Sequence, residues 1–141
     1  MQPNQQNVSR GPAFEPLTER EEAIAAAVVE AAYTVPRTLG PGLLESIYEP
    51  CFCHELNKHG LEAQRQVKVP IVYDGLSFAD AFRLDVLIEH LVICELKSAE
   101  TMQPVYFAQL LTYLKLTGRR LRFVINFNVP TIKQGIKRVI R

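Results

Sequence analysis

Leu91-Val92-Ile93-Cys94-Glu95-Leu96-Lys97 is the stretch on which the fold turns. The run Leu-Val-Ile-Cys marks a strand buried on both faces, the kind found inside parallel or mixed sheets. Residues two apart in a strand face the same way, so Glu95 and Lys97 project together while Cys94 and Leu96 face the opposite side. A polar pair therefore emerges from a buried strand.

Upstream, a second strand spans roughly Phe78 to Glu89, and before it Val67, Val69 and Ile71 alternate with Lys68 and Pro70 ahead of the turn Asp74-Gly75. Downstream, Pro104 opens a helix carrying Val105, Ala108, Leu111 and Leu114, closed by Gly118; Leu121 to Phe127 is a further strand and Thr131 to Arg141 a short basic helix. Two helices precede the strands. Thr18 and Glu21 form a capping box, and Ile24, Val28, Ala31, Ala32 and Val35 keep helical spacing until Pro36, read as the stop. After the turn Leu39-Gly40-Pro41-Gly42, Leu44 to Leu56 repeat the pattern up to Gly60, with Pro50 expected to kink the helix near Ser46. The order predicts an α/β (α+β) fold, a mixed sheet of about four strands flanked by helices. Residues 1–16, rich in Gln, Asn and Pro, read as a disordered tail, and 17–141 as one domain.

Composition agrees with a globular chain. The 141 residues are 48% hydrophobic and 22% charged, which excludes fibrous and disordered classes and leaves enough chain for a core without disulfides. No segment has the charge and apolar pattern of a signal or membrane span, so the expectation is a cytoplasmic protein without membrane contact. Cys51, Cys53 and Cys94 fit neither a disulfide framework nor a four-ligand zinc site. Cys51, Cys53 and His54 would make a local metal cluster, but the helical apolar pattern around them favours buried thiols.

The formal net charge of +1 conceals an asymmetry. All 15 acids lie in the first 100 residues, while the rest of the chain carries Lys115, Arg119, Arg120, Arg122, Lys133, Lys137, Arg138 and Arg141 and no acid. Such a segment suits a polyanion such as nucleic acid, since clustered cations gain affinity by releasing phosphate counterions; a merely solvated basic face is the alternative.

The candidate chemistry rests on Asp85, Glu95 and Lys97. Asp85 joins Glu95 on one face only if the connection near Glu89, His90 and Leu91 has an odd count or a bulge. Two converging carboxylates repel, and a hard divalent cation such as Mg²⁺ relieves this by taking their oxygens as ligands. A neighbouring lysine would orient or deprotonate the attacking water, or stabilise a pentavalent phosphate. Read separately, Glu95 and Lys97 are a surface salt bridge, Glu45 a solvated first-turn carboxylate and Gln109 an ordinary helix position. Tyr106, Phe107 and Tyr113 read first as core, with a homodimer interface or base stacking as the other uses.

Together these residues carry a resemblance. Gly42-Leu43-Leu44-Glu45-Ser46-Ile47-Tyr48-Glu49 is similar to the signature of the small bacterial GxxExxY proteins, assigned to the PD-(D/E)xK nuclease superfamily. The likeness runs over roughly Ala26 to Val139 and takes in Leu39-Gly40-Pro41-Gly42, Phe82-Arg83-Leu84-Asp85, Cys94-Glu95-Leu96-Lys97, Gln109 to Leu114 and Ile125-Asn126-Phe127-Asn128-Val129-Pro130. It implies a core of helix, three-stranded meander, helix and strand. By the same likeness Asp85, Glu95 and the Leu96 carbonyl would hold Mg²⁺, or Mn²⁺ in its place, and Lys97 would position or activate water. Glu45 would be an additional acid and Gln109 a supporting helix residue. The chain departs from the family pattern at Pro36, Pro50 and Tyr106-Phe107. The expected function is metal-dependent hydrolysis of phosphodiesters in nucleic acid, DNA foremost, with Lys115, Arg119, Arg120, Arg122, Lys133, Lys137 and Arg138 on the backbone phosphates. The alternative is an inactive nuclease-fold module that binds nucleic acid or a protein.

Overall fold

A computed structural model describes residues 15–141, apart from the side chain of Leu110. Of the segment read as a tail, all but Glu15 and Pro16 lies outside the described residues. Helix α1 (Glu19–Leu39) begins at the expected capping box: Glu21 N donates to Thr18 Oγ1 at 3.1 Å and Thr18 N to Glu21 Oε1 at 2.9 Å. Its stop differs from the sequence expectation. The helix passes through Pro36 and ends at Gly40, whose φ of +75° is open to glycine and whose N–H donates to the Pro36 carbonyl at 2.8 Å. Helix α2 (Glu45–Lys58) likewise runs through Pro50 as one element.

Strands β1 (Ala63–Tyr73), β2 (Leu76–Ile88), β3 (Val92–Lys97), β4 (Leu121–Asn126) and β5 (Ile136–Ile140) form one sheet in chain order. Only β3 and β4 are parallel, and helix α3 (Pro104–Thr117) makes the crossover between them. Five strands replace the four expected. Within Thr131–Arg141 only the turn α4 (Ile132–Gly135) is helical, and the remainder pairs antiparallel with β4. β4 is buried at every residue and would otherwise leave an open edge in the core, whereas Ile136, Val139 and Ile140 are β-branched and suit a ladder. Gly135 makes the join possible, because a Cβ there would meet the Asn126 carbonyl.

The sheet separates two apolar layers. On one face Ile24, Val28 and Val35 of α1 and Phe52 and Leu56 of α2 bury Val86, Cys94, Leu96, Phe123 and Ile125. On the other, Leu84, Leu87 and Ile93 pack with Val67, Val69, Phe82 and Tyr113. The β1–β2 hairpin changes face part-way along: Ala63 and Arg65 meet the α1–α2 layer, while Val67 and Val69 join the α3 layer. Gln66, at φ +52°, marks the reversal, opposite the segment that holds Asp85.

Candidate active site

Ile88 and Val92 are directly opposed, so Glu89-His90-Leu91 is a three-residue connection with Glu89 and His90 in the left-handed region. The odd count sets Val86 against Cys94, and the same register carried one step further brings the Asp85 carboxylate up to Glu95. The regular ladder ends there. Asp85 Oδ2 instead accepts from Leu96 N at 2.9 Å, so a side chain takes the place of a strand carbonyl. In an extended strand a residue's N–H and C=O point to the same side, which turns the Leu96 carbonyl toward the gap that holds Asp85.

Glu95 is 7% exposed and its Oε1 has no hydrogen-bond partner. Burial, the Asp85 charge and a hydrogen bond with Asp85 push its carboxyl up to about 9, against the pull of Arg122 and Lys97. At neutral pH Glu95 therefore keeps its proton unless a cation arrives. An orphaned carboxyl oxygen opposite a second carboxylate, with a carbonyl beside them, is an all-oxygen donor set that suits a hard divalent ion. Among the described residues no third acid, His or Cys joins the two.

Glu95 opens into a cleft whose other walls are Lys97, Tyr106, Gln109, Tyr113 and Val124. The Lys97 Nζ lies 4.6 Å from the centre of the Tyr106 ring, a cation–π contact that holds the side chain in place. Tyr113 is held by stacking on Phe82, with ring centres 4.3 Å apart. Gln109 is exposed on the helix side of the cleft.

Glu45 meets the end of β3. At the start of α2 its Oε1 accepts from Ser98 N at 3.1 Å, and Ser98 Oγ donates to the Leu43 carbonyl at 2.6 Å, so it ties the helix to the end of β3. Tyr48, three residues on, donates its hydroxyl proton to the Gly40 carbonyl at 2.7 Å, accepts from Leu43 N at 3.0 Å and stacks on Phe127. Glu45 and Tyr48 thus lock a turn and a helix end against the sheet. Asn126 makes the matching clip on β4: its Oδ1 accepts from the amides of Ala99 and Asn128, and its Nδ2 donates to the Ala99 carbonyl. Sequence reasoning assigned Asn126 no role, since a lone Asn after an apolar strand carries no sign of which loop it will hold.

The basic third does not form one patch. Arg122 is wholly buried, with none of its side-chain nitrogens hydrogen-bonded, and its guanidinium carbon lies 5.2 Å from the Tyr113 ring centre. Burial lowers its ionisation to about 10. The expectation that it meets solvent phosphate is corrected: β4 is a central strand, and its even-numbered positions face inward under α3. Arg138 is paired with Glu22 at 2.9 Å, Arg120 with the carbonyls of Glu15 and Pro16, and Arg119 with those of His90 and Thr117. Lys115, Lys133 and Lys137 are exposed, and Lys137, opposite Val124, shares the site's face. Cys53 and Cys94 are buried thiols, and no metal cluster forms around Cys51, Cys53 and His54 among the described residues.

A model of the PD-(D/E)XK nuclease superfamily matches residues 22–139, most of the chain and all of its core elements. The chain belongs to the PD-(D/E)XK nuclease superfamily. The five-stranded mixed sheet flanked by helices is consistent with that fold. Nothing among curated proteins or solved structures matches it. Members generally use divalent metals, and the superfamily implies a nucleic-acid substrate. No helix of the described residues is long and apolar enough to cross a membrane.

Proposed function

We propose that the chain is a divalent-metal-dependent nuclease of the GxxExxY type that hydrolyses phosphodiester bonds in nucleic acid, DNA foremost, with Mg²⁺ or Mn²⁺ as the metal. The observation that carries this is the opposition of Asp85 and Glu95 with a buried, unpartnered Glu95 oxygen. Asp85, Glu95 and the Leu96 carbonyl would hold the ion. Once bound it would lower the pKa of a water and neutralise charge growing on the scissile phosphate.

The chain's own groups do the rest. Glu95 would hold the ion as a carboxylate, and Asp85 keeps its hydrogen bond to Leu96 N and so holds β3 in register. Lys97, propped by the Tyr106 ring, orients the water for attack in line with the leaving 3′ oxygen and shares the developing charge. Gln109 supports the water or the phosphate from the helix side. Glu45 acts as a positioning residue through Ser98 rather than as a further ligand. The exposed Lys137 approaches the backbone phosphates from β5.

Purified protein incubated with linear, circular and single-stranded DNA and Mg²⁺ or Mn²⁺ tests this. Asp85→Ala, Glu95→Gln and Lys97→Ala should each lower cleavage by about a hundredfold or more with unchanged circular dichroism, and calorimetry should show metal binding lost in the first two. Cleavage that survives all three refutes it. A second reading, an inactive module on the same fold, is favoured by the convergence of only two acids among the described residues. It expects no metal binding and nucleic-acid binding that ignores Asp85→Ala.

A further inference from the structure

The outer face of α3 is unusually apolar for a surface helix. Positions 105, 108, 111, 112, 115 and 116 point away from the sheet, and Lys115 is the sole charge among them. Leu111 is 55% exposed and Val105 50%. A helix apolar on its outer as well as its inner face is normally covered on both. Next to it the β1–β2 hairpin runs on past the Phe82–Tyr113 stack. Tyr73 pairs with Leu76 and Ile71 with Phe78, so these side chains continue the stripe begun by Val69 and Phe82 on the α3 side of the sheet. Beyond the reach of α3 no described residue covers them: Tyr73 is 71% exposed and Phe78 51%.

We propose that these two surfaces bury each other in a two-fold homodimer, the hairpin arm of each protomer lying across the outer face of its partner's α3. Three observations select a second copy of this chain. The two patches lie on the same side of one molecule and the arm overreaches its own helix, which is the arrangement an isologous pair needs. Charge is complementary between them: the hairpin tip carries Asp74, and from Val69 to Phe82 the one other charge is Asp80, held by Lys68 at 3.6 Å, whereas α3 carries Lys115 and no acid. The exposed apolar residues amount to on the order of 600 Å² per protomer, hence about 1,200 Å² in a pair, the lower bound of specific interfaces. From Val69 to Phe82 the arm has no cation to hold phosphate, which argues against nucleic acid on this surface. In the dimer the partner's arm would also brace α3, whose Gln109 and Tyr113 line the cleft. The dimer itself does not depend on the nuclease reading.

The test is sedimentation velocity and light scattering on the full chain from 1 to 100 µM, without nucleic acid. A species of twice 16.0 kDa is expected, with dissociation in the micromolar range. Phe78→Asp and Leu111→Asp should each weaken dimerisation by at least about thirtyfold, as loss of an interface anchor does. Both residues are exposed, so the urea midpoint of the monomer should barely move. Hydrogen exchange on the wild type needs no variant: amides of 71–78 and 105–116 should gain protection as concentration rises. A monomer at 100 µM overturns the proposal. So does a dimer indifferent to both substitutions, or association that appears only with added DNA.

Discussion

At Glu95 the fold holds a carboxyl where burial and a neighbouring carboxylate disfavour its charge. With the folded value raised to about 9 and the unfolded one near 4.5, the native state binds the extra proton between those values. Stability is then full below the unfolded value and falls as pH rises toward the folded one. Glu95→Gln keeps the shape and removes the titration, so at pH 8 without metal the variant should be more stable than wild type by on the order of 2 kcal/mol in urea. An equal fall in both proteins between pH 5 and 9 would count against it. Arg122 makes the complementary case: a buried guanidinium without hydrogen bonds is costly, and Met fills similar volume at no such cost. Arg122→Met should leave the melting temperature equal or higher. A marked drop would mean that Arg122 pairs with Glu95 in solution. The acids and the lysine were legible as residues, but the depth of Glu95 and the inward turn of Arg122 depend on which strands become central.

Among the elements, the meeting of α2 with β3 and the join of α4 to β5 set the site. Tyr48→Phe removes a hydroxyl that bonds the Gly40 carbonyl and Leu43 N while keeping the Phe127 stack. It should cost about 1–2 kcal/mol and lower nuclease activity by loosening the Glu45–Ser98 tie, measured by denaturation and by cleavage together. Gly135→Ala should cost more than the usual Gly-to-Ala change, because the Asn126 carbonyl must shift. Exchange protection lost along β5 before the rest of the sheet would show it. Periodicity found the helices and four strands here. It misread Thr131–Arg141 because Ile132 and Ile136, spaced four apart and flanked by basic residues, suit a helix as well as a strand. The open edge of β4, absent from any local window, settles the matter. Pro36 misled for the opposite reason: it removes one hydrogen bond, and the packing of Val35 in the core outweighs that loss.

For the molecule as a whole, eight cations without an acid read from the sequence as a polyanion-binding third. Folding disperses them. Arg122 goes inside, Arg119, Arg120, Arg138 and Arg141 engage carbonyls or Glu22, and Lys115, Lys133 and Lys137 remain exposed. The dependence of nucleic-acid affinity on salt should accordingly be shallow, a slope of log K on log salt of about −3 from Lys97, Lys133 and Lys137 rather than near −7. A slope near −7 would require the bound arginines to release their partners.

Local sequence determined what local physics controls. The capping box started α1, a four-residue apolar run made β3 a central strand, and the three residues after Ile88 put Asp85 opposite Glu95, because side-chain period and turn count are properties of neighbouring residues. The tertiary structure alone decided which charges are buried, which are paired, that Glu45 accepts from Ser98 N, and that a fifth strand closes β4. Those outcomes depend on partners tens of residues away, and burial and pairing exist only once distant segments share a face.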